Sequence, residues 1–228
     1  IRDSVLMDDS HEFGPTSAVM LLVTTDGKLL SRGRQGGQFT KYGSGGGTSQ
    51  KSFVHSHFTC REGVEDDFGI GFDNPAILDV SAPILQIDPH HGGQGGKVTT
   101  VWVQYMLLDA SQIEQLPDTE ARVCTGYFPQ PTTPGEWGHF KVGGQRLKCA
   151  ERERISKKWK SGVDRETAYC FDSLDRIAEL NSNPLHFQMK GVAPHWNEWR
   201  PLDWRTLKIH VPEMQVWIDQ YANAPRPG

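Results

Sequence analysis

The chain has 228 residues, with 24 Lys and Arg against 28 Asp and Glu and a net charge of −4. That length suits one large domain, or one domain carrying an insertion. The acidic balance excludes a protein that binds polyanions through its overall charge, and no apolar run approaches the roughly 18 residues needed to span a bilayer. Cys60, Cys124, Cys149 and Cys170 form no CxxC pair; they make neither a zinc site nor a disulfide framework, and point to a soluble protein of an intracellular reducing compartment. The sequence begins at Ile1, which fits the cytoplasm, or the mitochondrial matrix where a presequence has been removed.

In chain order, residues 18–24 (AVMLLVT) predict a buried strand, Asp26-Gly27 a turn, and 28–34 (KLLSRGR) its hairpin partner. Gly43, Gly45, Gly46 and Gly47 suit a loop that uses φ > 0 and lets a ligand approach the backbone. A helix capped by Thr48 or Ser49 follows, with Phe53, Phe58 and Val64 as core contacts. Residues 76–87 (AILDVSAPILQI) are β-prone, PHHGGQGG is a turn or loop, and 98–108 (VTTVWVQYMLL) is the clearest strand in the chain. Near the end, 211–222 predicts a helix with Pro212 in its first turn and Met214, Trp217, Ile218 and Tyr221 as a core stripe.

The section at about 117–195 differs in composition. Its first part is rich in Pro, Gly and aromatics. Residues 146–165 are helix-prone and basic, and 165–180 (RETAYCFDSLDRIAEL) is a further helix-prone run ended by Asn181 to Pro184. Arg152, Arg154, Lys157, Lys158 and Trp159 are the candidates there for RNA phosphates and base stacking; ordinary solvating side chains on an exposed helix are the plain alternative. A protein partner docking on this section is a second use for it.

The densest chemistry lies in Arg61-Glu62-x-x-Glu65-Asp66. Positions i, i+3 and i+4 share a helix face, so three carboxylates repel one another unless a cation or basic group sits among them. A hard divalent ion prefers such oxygen ligands. Taken alone, the cluster also fits a solvated acidic helix end. His55 and His57 are two apart and point to different faces, and the sequence contains no HExxH, GxSxG or Walker loop.

From Gly47 to Ile70 the sequence GTSQKSFVHSHFTCREGVEDDFGI resembles the Nudix box: Gly47, five residues, Phe53, seven residues, Arg61-Glu62, Gly63-Val64, Glu65-Asp66, Asp67-Phe68, Gly69-Ile70. Phe53 stands where the family has its first Glu, Gly63 replaces an aliphatic residue, Asp66 replaces Glu, and one extra residue precedes Gly69. A register with Asp66-Asp67 as the acidic pair loses the Gly47 spacing, and a slip inside a helix turns every side chain by about 100°. Glu198 to Trp204 resembles the family's late Trp-containing turn. The resemblance covers about 18–116 and 196–222 and implies an α/β fold, a Nudix α/β/α sandwich with a mixed sheet, here as a single domain over 1–228 with a largely helical insertion at about 117–195.

The resemblance further implies a pyrophosphohydrolase using Mg²⁺ or Mn²⁺, with Glu62, Glu65 and Asp66 as metal ligands and Glu62, Glu65 and Arg61 as catalytic residues. Gly45, Gly46, Gly47, Arg32 and Arg34 would bind the substrate, a nucleotide or a 5′-phosphorylated RNA. In the family the box Arg bridges to the first Glu; Phe53 cannot take that role, so Arg61 must pair with Asp67 or outside the box. Asp66 is one methylene shorter than Glu, which moves an oxygen by roughly 1.3–1.5 Å. A Nudix domain that binds nucleotide or RNA without cutting it is therefore the alternative.

Overall fold

The structure, a computed structural model, describes residues 17–36, 39–43, 45–48, 56–88, 99–117, 137–147, 151–153, 163–175, 177–178 and 201–224. β1 (Ser17–Thr24) and β2 (Lys28–Gly36) form the expected hairpin. Its turn needs Gly27, which has φ 77° and donates its N–H to the Thr24 carbonyl at 2.9 Å. β3 (Phe39–Gly43) and β4 (Gly45–Thr48) follow, then α1 (Ser56–Phe68). The run at 76–87 becomes β5 (Ile77–Val80) and β6 (Ile84–Asp88), and the expected strong strand is β7 (Thr99–Leu108).

β1 and β7 run parallel in unbroken register, from Ser17 opposite Val101 to Thr24 opposite Leu108. The other pairings of this sheet are antiparallel, so the sheet is mixed, as expected. β2 opposes β1 only near the turn, at Leu22–Leu30 and Val23–Leu29, and then diverges to pair with β3; β4 takes its place beside β1 from Ser17 to Met20. β5 and β6 pair successive parts of β7 because Ser81 fills the gap between them. Its carbonyl accepts from Gln104 Nε2 at 3.0 Å and its hydroxyl accepts the Tyr105 N–H at 2.8 Å.

Alternation divides β1 between two cores. Ala18, Met20 and Leu22 join Cys60, Val64 and Phe68 of α1. Val19, Leu21 and Val23 join Leu207, Val211, Met214 and Ile218 of α2 (Pro201–Asn223). A mixed sheet thus lies between two helices, which is compatible with a Nudix-like sandwich. β8 (Ile113–Gln115), β10 (Phe140–Val142) and β11 (Gln145–Arg146) form a small second sheet, preceded by β9 (Trp137–Gly138), which pairs with the main sheet. Its Phe140, Val142 and Leu147 extend the α1-side core. Asn74 ties the two sheets together: its amide donates to the Val142 carbonyl and its side-chain oxygen accepts the Ala76 N–H, both at 2.9 Å.

The largely helical section expected at 117–195 is corrected over its described residues, which are mostly strand. Its described residues include β12 (Glu151–Glu153) and β13 (Val163–Ser173). β13 pairs along β2 from Lys28 to Gln35 and buries Tyr169 on one face and Cys170 on the other, so it is part of the main sheet. Partners distant in sequence outweigh the helix propensity of RETAYCF. Two further expectations shift. Thr48 closes β4 and so cannot cap a helix that begins at Ser56. The closing helix starts at Pro201, so 201–204 is helical rather than a turn, and Pro212 lies in its interior with its ring exposed. The stripe of Leu207, Val211, Met214 and Ile218 carries the helix past Pro212, while Tyr221 stays exposed. Among the described residues, no helix is long and apolar enough to cross a membrane.

Leu22 is fully buried beside α1. Leu22→Ala should lower unfolding free energy by about 2–5 kcal/mol, read as a lower urea midpoint at unchanged slope; a loss under about 0.5 kcal/mol would show that this strand is not central.

Candidate metal-binding helix

α1 carries the acidic cluster because one side of it is anchored. Cys60, Val64 and Phe68 recur every fourth residue and are fully buried. The Phe68 ring packs against Tyr169, with centroids 5.7 Å apart. The Tyr169 hydroxyl donates to the Asp67 carbonyl at 3.0 Å, which fixes the last turn of α1 to β13. Gly69 then ends the helix: its φ is 72°, and its N–H donates to the Glu65 carbonyl at 3.0 Å. This is the left-handed cap that glycine adopts without a Cβ clash. The extra residue of the box is thus absorbed within the last helical turn.

With an advance of about 100° per residue, position 65 stands about 100° from Val64, and positions 62 and 66 stand about 160° away on either side. The three acidic positions therefore lie on the side turned from the core. Glu65 is exposed; the side chains of Glu62 and Asp66 lie outside the described set. The Arg61 pairing expected with Asp67 or outside the box is corrected: Arg61 Nε meets Glu65 Oε1 at 3.3 Å. The guanidinium also sits 5.0 Å from the centroid of the Phe72 ring, a cation–π contact. The ion pair has its acid on the C-terminal side, the weaker order on a helix, and is worth about 0.3–0.5 kcal/mol at most. The i,i+4 spacing of Arg61 and Glu65 was the sequence signal for it; Phe72, beyond the helix, carried none.

Gly45, Gly46 and Gly47 are not in a loop. They form β4, opposite Met20, Val19 and Ala18 of β1, and α1 lies against this strand. A glycine strand there lets helix and sheet approach closely. Arg32 and Arg34 occupy β2 opposite Tyr169 and Glu166; by two-residue alternation these positions fall on the same sheet face as Leu30, the face that carries α1. Arg152 is in β12, opposite Asp164, rather than on a helix. Arg154, Lys157, Lys158 and Trp159 lie outside the described residues, as do Ser49, Phe53 and His55.

The acidic positions 62, 65 and 66 of α1 offer carboxylate oxygens, the chemistry that suits Mg²⁺ or Mn²⁺. Among the described residues, which do not include the side chains of Glu62 and Asp66, no three His, Cys, Asp or Glu side chains gather as a metal-holding group. Cys60, on the buried side, is removed from this chemistry; burial pushes its thiol up to about 12.

No family model matches the chain, and no curated protein matches it. Among solved structures it is similar to the E. coli ORF135 protein, with 12% identity over 93% of this chain and 95% of that one and a TM-score of 0.37. It is also similar to the T. brucei MERS1–RNA complex, with 11% identity over 88% of this chain and 64% of that one and a TM-score of 0.39. A MutT/nudix family protein from Enterococcus faecalis gives 13% identity over 76% of this chain and 66% of that one, with a TM-score of 0.30.

Tyr169→Phe should lower stability by about 1 kcal/mol through the lost hydrogen bond, and Gly69→Ala by about 1–2 kcal/mol through the left-handed backbone. Chemical denaturation measures both; a Gly69→Ala protein as stable as the parent would refute the cap.

Proposed function

We propose that this chain is a metal-dependent Nudix pyrophosphohydrolase that cleaves a nucleoside diphosphate-linked substrate, with the 5′ end of an RNA as the large-substrate case. The observation that carries the reading is the split character of α1. One side is pinned into the core by Cys60, Val64 and Phe68, and the acidic positions 62, 65 and 66 stand on the other, where Glu65 is exposed. The reading keeps one domain over 1–228.

In this function Glu62, Glu65 and Asp66 would hold Mg²⁺ or Mn²⁺, and the ion would neutralise the diphosphate and acidify a bound water. Glu62 or a neighbouring carboxylate would orient or deprotonate a water for in-line attack. Arg61 must leave Glu65, or share it, for that carboxylate to act, and its stacking on Phe72 gives it a place to stay. Gly45, Gly46 and Gly47 would offer backbone to the phosphates, and Arg32 and Arg34 of β2 would supply positive charge.

A second reading has a specific observation behind it. Glu65 is already paired with Arg61, and Phe53 replaces the family's first Glu. A domain that binds nucleotide or RNA through Arg152, Arg154, Lys157, Lys158 and Trp159, or docks a protein partner there, fits that altered box. In this form the chain would act as the kinetoplastid mitochondrial edited-mRNA stability factor does, as an RNA-associated Nudix protein.

Incubation with Mn²⁺ or Mg²⁺ and a panel of triphosphorylated RNA, nucleoside triphosphates and dinucleotides tests the first reading. Glu65→Gln should lower turnover by about 10²-fold or more and weaken Mn²⁺ binding about tenfold by calorimetry. Equal turnover in the two proteins would discard the site, and tight RNA binding without turnover would select the second reading.

A further inference from the structure

The main sheet ends in an open apolar strand. β6 pairs with β7 along one side, and among the described residues no strand lies along its other side. Ile84 packs against the α2-side core, and Gln86 Oε1 meets His210 Nε2 of α2 at 3.0 Å. By alternation Leu85 and Ile87 face the α1 side, where they are 46% and 55% exposed. One exposed Leu is ordinary. Two large apolar side chains in step on an open edge are a template for another strand. β6 carries no lysine and no bulge to prevent such pairing, and its one charge, Asp88, stands at its end.

The apolar surface runs inward from this edge. Leu85 stands opposite Trp102 of β7, and Trp102 opposite Ala18 of β1. α1 packs on Ala18 and stops short of Leu85 and Ile87, as their exposure shows.

We propose that β6 pairs with β6 of a second copy of this chain, joining the two main sheets across a two-fold axis. The register selects a copy as the occupant. A two-fold interface must match itself, and antiparallel strands around an axis normal to the sheet keep side chains of one face opposite one another. Centred on Gln86, all five residues of β6 pair. Leu85 meets the partner's Ile87, and Ile87 meets the partner's Leu85. Centred on Leu85 instead, Ile87 falls opposite the partner's Pro83; centred on Ile87, Leu85 falls opposite the partner's Pro89. Proline brings no N–H to a ladder. Only the register on Gln86 sets apolar against apolar on both sides of the axis. It also places Asp88 opposite the partner's Ile84, away from the partner's Asp88.

Because faces are kept, both copies of α2 lie on one side of the joined sheet and both copies of α1 on the other. The pairing uses no acidic position of α1 and no residue of β2, so it stands independently of the proposed hydrolase site. Five residues a side are few against the roughly 1,000 Å² that a stable interface clears. The dimer is therefore weak, with a dissociation constant on the order of 10 µM.

Sedimentation of the full chain tests this. The parent should be monomeric at about 1 µM and dimeric at about 200 µM. Ile87→Lys should weaken association by about tenfold or more, with the parent's urea midpoint retained because the side chain is exposed. The register is read by mild oxidation of Leu85→Cys and Ile87→Cys proteins, mixed and separately. Directly opposite positions lie about 4.5–5.5 Å apart and diagonal ones about 7–8 Å, beyond disulfide reach. A cross-linked dimer should therefore form in the mixture and not from either protein alone. A parent that stays monomeric at about 200 µM, a mass that grows past two copies, or an Ile87→Lys protein that dimerises like the parent overturns the proposal. Equal cross-linking in the mixture and in the separate proteins overturns it as well.

Discussion

The parallel pairing of β1 with β7 is the constraint on which the rest of the molecule depends. Each residue from Ala18 to Val23 is buried, so β1 has no solvent face and needs a layer on both sides. That is why its sequence is a continuous apolar run instead of an alternation. Two parallel strands cannot be joined by a tight turn; the connection must cross a face of the sheet. α1 lies on that connection and covers Ala18, Met20 and Leu22. α2 arrives from the far end of the chain to cover Val19, Leu21 and Val23.

Covering the sheet imposes a division on α1. The residues that pack must recur every three or four positions, which leaves the opposite side free for polar groups. Cys60, Val64 and Phe68 satisfy the first demand, and the acids use the freedom it leaves. The anchoring is strongest at the C-terminal end, where Tyr169 holds the Asp67 carbonyl and Gly69 stops the helix. Asp67 is thus committed to the frame by its backbone, while Glu65, two residues earlier, is held by one exposed arginine.

Local signals were legible in the sequence and distant ones were not. Asp26-Gly27 fixed the first hairpin because the φ of Gly27 is a property of the turn itself. Residues 99–108 were readable because β-branched and aromatic residues fill the strand. Gly69 ends α1 for the same local reason. β13 was misread because its Arg, Glu and Ala favour a helix in isolation, and only pairing with β2, more than a hundred residues earlier, makes it a strand. The glycines before the box looked like a loop since nothing in GGGT predicts pairing; β1 supplies it. In the candidate site, Glu65 on an exposed helix side followed from spacing, whereas the seat of Arg61 on Phe72 depends on how the chain turns after Gly69.

The sheet also separates two kinds of polar chemistry. Carboxylates cluster on the α1 side, where water reaches Glu65. The α2 side hides a histidine, a tyrosine and a glutamine. β7 belongs to both: Tyr105 faces His210, while its neighbours Gln104 and Met106 alternate to the other face, and Met106 packs in the α1-side core. A change at His210 therefore reaches α1 only by moving the backbone of β7, and that backbone is held by β1 on one edge and by Ser81 on the other. Close-packed strands resist such displacement. The end of α2 beyond Pro212 is seated on the same core by Met214 and Ile218, and its far side is exposed at Val216. The two faces of the sheet therefore carry different polar groups, with packed strands between them.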